Sequence, residues 1–313
     1  MFDLTEDWVW DFWTVDDGEL FHLFFLKAPR ALGDPELRHW HASVGHAVSP
    51  DLLTWERLPD ALDPQPSGAF DDLATWTGCC LRDERAGLWR MFTTGLAGTH
   101  RERLQRVGMS TSTDLVEWVR SPEALVLADP RWYATLDPTL EAAPEEHWRD
   151  PWVVRGPDGL WHMYLTSKAR DDVPGAGVIG HAVSPDLTTW TVRPPLSGPD
   201  RFAWLEVISV QQVEGRWVLI FSCLGEQMPG HEHGTGGVWS VPVSGVGEPV
   251  DIGAAVRLAD ERHYVGKVVQ DRSGAWQFLA FRNAGEDGAF VGGVIDPVPV
   301  GWRPDGRGLI LHW

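Results

Sequence analysis

Five aromatic-rich segments, each introduced by a glycine, recur along the whole chain and constrain its fold more than any other feature. They read Gly18-Glu-Leu-Phe-His-Leu-Phe-Phe, Gly87-Leu-Trp-Arg-Met-Phe-Thr, Gly159-Leu-Trp-His-Met-Tyr-Leu, Gly215-Arg-Trp-Val-Leu-Ile-Phe and Gly274-Ala-Trp-Gln-Phe-Leu-Ala. Each has the form of a strand, with bulky positions alternating after a turn glycine. The key aromatics Phe21, Trp89, Trp161, Trp217 and Trp276 recur at intervals of 56 to 72 residues. Self-similarity at such a period signals radial or linear repetition. A second repeat follows the first three segments: Gly45-His-Ala-Val-Ser-Pro-Asp-Leu-Leu-Thr-Trp55, Gly108-Met-Ser-Thr-Ser-Thr-Asp-Leu-Val-Glu-Trp118 and Gly180-His-Ala-Val-Ser-Pro-Asp-Leu-Thr-Thr-Trp190. Each is a short strand, a Ser-x-Asp-Leu turn and a Trp opening a further strand. A weaker echo, Gly237-Val-Trp-Ser-Val-Pro-Val-Ser, follows the fourth segment.

Each unit thus offers about four strands, the content of a propeller blade. The units exceed the roughly 40–50 residues of common blades, so the extra length belongs in loops, where such scaffolds carry function. No amphipathic helical stretch separates the strands, which argues against a doubly wound sheet. The units are also too long and irregular for a linear solenoid. The expected architecture is all-β: a five-bladed β-propeller, a single domain over residues 1–313, with no appended β-sandwich. Its inner strands are expected at Trp8–Val15, Ala74–Leu81, Trp148–Arg155, Trp204–Val213 and His263–Asp271.

Three acids fall on those inner strands at matching offsets. Asp11 lies ten residues before Phe21, Asp150 eleven before Trp161, and Glu206 eleven before Trp217. Carboxylates at one repeat position converge on one place in a ring. Any one of them could equally cap a loop or pair with a buried arginine; the recurrence favours a site. Glycoside hydrolysis needs two carboxyl groups flanking the scissile bond. Glu206, in the apolar Trp204-Leu-Glu-Val-Ile-Ser-Val strand, is expected to be held protonated by desolvation and to act as general acid. Asp11, in Trp8-Val-Trp-Asp-Phe-Trp, serves as nucleophile or base if it stays ionised. Asp150 is assigned to sugar hydroxyls and a cationic transition state. Its neighbour Arg149 should face the other way unless Pro151 bends the strand. Asp51, Asp114 and Asp186, in the Ser-x-Asp-Leu turns, are read as turn caps.

Composition excludes more than it selects. The net charge of −19 argues against nucleic-acid partners and anionic membranes, since polyphosphates require basic patches. No apolar run approaches membrane-spanning length. The N-terminus, Met1-Phe-Asp-Leu-Thr-Glu-Asp, shows neither a basic nor an apolar leader region. The three cysteines, with Cys79 and Cys80 adjacent, provide no disulfide framework. The expectation is therefore a cytoplasmic protein. Nineteen Trp against three Tyr is unusual. Most of them are assigned to blade cores, the rest to stacking faces for sugar rings. The histidines do not suggest a metal: His22 and His162, His46 and His181 recur as packing positions, and His231-Glu-His233 lacks a third ligand at telling spacing. No metal and no cofactor are expected, and the sequence does not address the oligomeric state.

Taken together, these residues resemble the five-bladed propeller glycosidases, above all glycoside hydrolase family 32, with family 43 as a relative. Trp10-Asp11-Phe12 with Leu20-Phe-His-Leu-Phe-Phe is similar to the family's nucleophile strand Asn-Asp-Pro-Asn-Gly and the His-Leu-Phe strand behind it. Trp148-Arg-Asp-Pro151 resembles its Arg-Asp-Pro motif, and Leu205-Glu-Val207 takes the place of its Glu-Cys acid/base motif. The chain departs from the pattern in Phe-Trp after Asp11 and in Val after Glu206.

The resemblance implies an exo-acting glycosidase on small furanosides, foremost β-fructofuranosides. Asp11 would be the nucleophile, Glu206 the acid/base, and Asp150 with Arg149 a sugar clamp. Trp10, Trp76 and Asp72 would shape the pocket, closed by loops around Phe70–Trp76 and Pro130–His147. The partner is then a small-molecule carbohydrate. Retention is favoured over inversion. An arabinofuranosidase or xylosidase of the family 43 kind, a fructosyl transferase and a non-catalytic sugar-binding propeller remain as other readings.

Overall fold

A computed structural model describes residues 1–97, 104–136, 146–171, 173, 175–231 and 233–313. Its strands form five sheets of four, each antiparallel and each in simple chain order. Blade 1 contains β1 (Asp7–Asp16), β2 (Phe21–Pro29), β3 (Ser43–Ser49) and β4 (Glu56–Leu62). Blade 2 contains β5 (Ala74–Asp83), β6 (Leu88–Ala97), β7 (Leu104–Ser112) and β8 (Val119–Arg120). Blade 3 contains β9 (Trp148–Arg155), β10 (Trp161–Lys168), β11 (Gly177–Ser184) and β12 (Thr191–Arg193). Blade 4 contains β13 (Glu206–Val213), β14 (Arg216–Cys223), β15 (Gly237–Pro242) and β16 (Val256–Asp260). Blade 5 contains β17 (His263–Gln270), β18 (Trp276–Arg282), β19 (Val298–Trp302) and β20 (Leu309–Leu311). The five-bladed β-propeller expected from the repeat is the observed fold.

The repeat glycines explain the first hairpin of every blade. Gly18, Gly87, Gly159, Gly215 and Gly274 all have positive φ, between 67° and 97°, a region that glycine enters without the usual steric penalty. The Ser-x-Asp-Leu turns are equally regular. Asp51 Oδ1 accepts from the N–H groups of Leu53 and Thr54, Asp114 from Val116 and Glu117, Asp186 from Thr188 and Thr189. The leucine after each aspartate, Leu52, Leu115 or Leu187, takes a φ of 66° or 67° and is fully buried. Burial of the side chain offsets the backbone strain.

The ring closes through the chain's first residues. Phe2 exchanges both backbone hydrogen bonds with Val294 of blade 5, at 2.9 and 2.8 Å, and Gly293 N–H donates to Val9 O at 2.8 Å. Aromatic side chains pack the blades, with Trp10, Trp13, Trp148, Phe24, Phe25 and Phe221 among the largest buried groups. Among the described residues, no helix is long and apolar enough to cross a membrane.

Candidate active site

Every inner strand carries a bulge at the same height, and these bulges build the site. The register slips between Trp10 and Phe12, Trp76 and Gly78, Arg149 and Trp152, Glu206 and Ser209, and Tyr264 and Lys267. A bulge puts two residues opposite one, so consecutive side chains can face the same side. Asp150, Val207 and Val265, at their bulges, have φ of 57°, 52° and 52°. That is why Arg149 and Asp150 both line the cavity, where a regular strand would send them to opposite faces.

Two rings result. The residues before the bulges, Trp10, Trp76, Arg149, Glu206 and Tyr264, all line one cavity of about 590 Å³. One step further along the strands come Asp11, Thr77, Asp150 and Val207, which line it as well. The three acids therefore converge, but not from one repeat position: Asp11 and Asp150 occupy the second ring, Glu206 the first. Their matching offsets in sequence arise because Glu206 starts its strand one step earlier while the following hairpin of blade 4 is shorter. Volume alone does not choose this site. A recess of about 730 Å³ beside Arg257, Arg262 and Trp313 is larger but gathers none of the three acids.

Arg149 joins the two rings. Its Nη2 donates to Glu206 Oε1 at 2.5 Å, and its Nε lies 3.4 Å from Asp150 Oδ2. Tyr264 O–H donates to the other oxygen of Glu206, at 2.5 Å. Asp150 Oδ2 accepts from Thr166 Oγ1 at 2.8 Å, and its own N–H donates to Thr94 Oγ1 at 2.8 Å. Thr77 O–H donates to Asp11 Oδ2. His147, buried, accepts from Trp204 Nε1 at 3.1 Å and sits 2.6 Å from Arg149 Nη1.

The electrostatics single out Asp11. Burial, then the neighbouring Asp150 and Glu206 charges, push Asp11 up to about 7, against the opposing pull of Thr77 and Arg38. Burial also raises Asp150, with Arg149 pulling down and Glu206 pushing up. Asp11, a nucleophile or base only if ionised, is therefore the acid whose proton is held to near-neutral pH. Glu206 receives two donors, a guanidinium and a phenol.

Trp10, Trp76 and Arg149 line the cavity as expected. Asp72 does not: its carboxylate caps the loop by accepting from Gly68 N–H at 2.7 Å. Its neighbour Asp71 is buried in an ion pair with Arg120 at 2.6 Å. In the second closing loop, residues 137–145 lie outside the described residues, while His147 reaches the cavity. Thr77, Tyr264, Arg38 and Trp204 also line it and were not singled out from sequence. The first two occupy the repeat positions beside the bulges, so alignment of the inner strands by their bulges would have found them. Arg38, on the short 3-10 turn Pro35–Trp40, carries no repeat signal. Among the described residues no cluster of three His, Cys, Asp or Glu could hold a metal ion.

With this geometry in place, comparison with known proteins is decisive at family level. Residues 14–239 match the glycosyl hydrolases family 32 N-terminal domain. The chain belongs to glycoside hydrolase family 32. Asp150 and Glu206 lie within the matched family 32 residues, and Asp11 lies three residues before them. A β-fructofuranosidase of Arabidopsis thaliana (insoluble isoenzyme CWINV6) is 29% identical over 180 residues, covering 56% of this chain and 29% of that protein. A sucrose-6-phosphate hydrolase of Zymomonas mobilis is 29% identical over 232 residues, covering 68% of this chain and 40% of that protein. The chain thus spans well under half the length of these relatives. The inulosucrase from Halalkalicoccus jeotgali bound to kestose superposes with a TM-score of 0.75 at 20% identity, over 98% of this chain and 87% of that one. At such identity the superposition speaks for the fold.

Proposed function

We propose that this family 32 chain is an exo-acting, retaining β-fructofuranosidase in which Asp11 is the nucleophile, Glu206 the acid/base and Asp150 with Arg149 the sugar clamp. The observation that carries this reading is the convergence of three acids from blades 1, 3 and 4 on one cavity, with Arg149 bridging two of them. Glu206 lies one step nearer the start of its strand than the bulge residues, on the side of the half-buried Trp204. A leaving group departing through the mouth passes it. Asp11 would attack the anomeric carbon from within, forming a glycosyl ester that water then cleaves with Glu206 as base. Productive attack needs Asp11 ionised and the proton on Glu206, and the burial that pushes Asp11 up to about 7 opposes the first condition below neutral pH.

A cavity closed on one side by the packed channel admits a chain end, which supports exo rather than endo cleavage. The relatives' names support fructosides as substrates. A reducing, cytoplasmic setting is part of the proposal and rests on the odd cysteine count; cell fractionation tests it.

The test is incubation with sucrose, kestose, inulin, levan and a panel of nitrophenyl furanosides. Free fructose from chain ends, with the first product keeping the substrate's anomeric configuration in proton resonance, is the expected result. Inverted product would exclude Asp11 as a covalent nucleophile, and arabinose or xylose release in place of fructose would move the substrate to another furanoside or pyranoside.

A further inference from the structure

A single lysine is enclosed in the middle of the propeller, and no step proposed above uses it. Lys267, on β17, is 4% exposed. Its ammonium donates to Val207 O of blade 4 at 3.4 Å and stands 5.1 Å from the ring centre of Trp152 of blade 3. The charges and thiol that act on it are Cys79 of blade 2, Asp150 of blade 3 and Asp11 of blade 1. Groups from every other blade thus face this one side chain, which places its charge on the axis, beneath the second ring.

An ammonium in that position is expensive unless anions compensate it. Cys79 does not supply one: burial pushes its thiol up to about 12, so it stays neutral. The compensating charges are the two aspartates of the second ring. Arg149 cannot serve both of them, because its Nη2 is committed to Glu206 and its Nε to Asp150. Asp11 is further surrounded by Asp150 and Glu206, with Thr77 as hydroxyl donor and Arg38, a cation itself occupied by Glu36 at 3.0 Å, nearby.

We infer that Lys267 is a positioning residue of the reaction: its axial ammonium is the counter-charge that lets Asp11 and Asp150 be ionised together, and it sets the lower pH limit of catalysis. Burial lowers Lys267 itself to about 8, which leaves it charged across the range in which Asp11 must ionise. Inside a protein, one unit charge moves a neighbouring carboxyl by about one pH unit or more.

The inference rests on Asp11 as nucleophile, but its test reads the carboxyl directly. Protein labelled with carbon-13 at the aspartate carboxyl is titrated by NMR, with the Asp11 signal identified by its loss in Asp11→Asn. Lys267→Met should raise the Asp11 midpoint by at least one unit. Lys267→Arg should leave it within about half a unit. The acid limb of kcat/KM should move with the midpoint, giving roughly tenfold lower activity at pH 6, while the plateau at higher pH stays within about threefold. A merely structural lysine would lower the plateau and leave the limb in place, and that outcome, or an unmoved midpoint, overturns the inference. If Lys267→Met does not fold, linkage supplies the reciprocal measurement. Asp11→Asn must lower the Lys267 midpoint, read on nitrogen-15-labelled lysine, by a similar amount, and no change would overturn the inference equally. A shifted midpoint in a protein that cleaves no furanoside would refute the proposed function and leave the counter-charge standing.

Discussion

At the outer strands of blades 1, 2 and 3, Asp51, Asp114 and Asp186 each sit in a turn whose backbone N–H groups point at the carboxylate. At the inner strands of blades 1 and 3, Asp11 and Asp150 sit in bulges that put the carboxylate beside other carboxylates and away from bulk water. Both sets repeat, and both depend on left-handed backbone at the acid or just after it in all but Asp11. Their electrostatics are opposite. Hydrogen bonds from Thr54 and Leu53, Glu117 and Val116, and Thr189 and Thr188 hold the turn acids below the ordinary carboxylate range. Burial holds the channel acids above it. The residue type decides neither outcome; where the local backbone aims its donors does. The turn acids support the fold, whereas the channel acids are maintained against it, as expected where a site is built for chemistry.

The comparison breaks most visibly in catalysis. Asp11→Asn and Glu206→Gln should each lower kcat by about 10²–10⁴-fold or more while the far-ultraviolet spectrum stays that of the native sheet protein. Asp150→Asn should follow closely, whereas Asp186→Asn should leave kcat within about twofold. Because the nucleophile must be ionised and Asp11 is held up to about 7, kcat/KM should fall about tenfold per pH unit below neutrality. An acid limb centred near pH 4 would show that the carboxylates do not act on one another as the geometry requires.

A second contrast concerns stability in acid. His22 and His46 stack in blade 1 with Nδ1 and Nε2 2.9 Å apart, and His162 and His181 repeat the arrangement in blade 3 at 3.0 Å. Burial, then the partner imidazole, lowers His46 to about 3 and His181 to about 4. A histidine lowered in the folded state binds its proton only after unfolding, so stability falls as pH drops from about 6.5 toward 3–4. The two together should contribute a loss on the order of a few kcal/mol across that window. The turn acids, lowered from 3.8, lose their contribution only below pH 4. Denaturant midpoints in the double variant His46→Gln/His181→Gln should therefore flatten between pH 6.5 and 4 and still fall below it.

The channel acids predict the reverse sign. A carboxyl raised from 3.8 to about 7 binds a proton in the native state over a range where the unfolded chain has released it. Its contribution is favourable at low pH and is lost as pH rises through that interval. Asp11→Asn keeps an oxygen for the Thr77 donor and removes the buried charge. It should raise Tm by about 2–5 °C at pH 8, and by less at pH 5. An inactive variant that melts lower at pH 8 would mean that Asp11 is a structural carboxylate.

How much of this could be read in the chain follows from what a repeat records. The fivefold period, the hairpin glycines and the turn aspartates are local devices, each legible because a backbone conformation demands a residue type. Asp11, Asp150, Glu206, Arg149, Trp10 and Trp76 were legible because they flank the same strands. What the sequence concealed is the bulge, which arises only when two strands pair out of step. Without it Glu206 seemed to share a position with Asp150, and Arg149 seemed to face away; Asp72 seemed to belong to the pocket because the loop it caps carries no repeat signal. Tyr264 and Thr77 were hidden by the bulge as well, and Lys267 because its partners come from four other blades.

The smallest effect is the one that isolates the turn device from everything else. Asp186 is exposed, accepts from Thr188 N–H at 2.9 Å, Thr189 N–H at 2.7 Å and Ser184 O–H at 3.2 Å, and touches nothing in the cavity. Its removal leaves Leu187 at a φ of 67° without the bonds that fix the turn. Asp186→Ala should therefore destabilise by about 1 kcal/mol, because solvent screens the charge and water replaces part of the lost bonding. In a chain of this length that is a Tm decrease of about 2 °C. Asp186→Asn keeps the oxygen that the two N–H groups need and should recover most of it. Leu187→Gly should behave differently: it relieves the positive φ but removes a buried side chain, and burial of a leucine outweighs the relief. If Asp186→Ala instead cost as much as Leu187→Gly, the hydrogen-bonded carboxylate, rather than the buried leucine, would be what holds this turn in place.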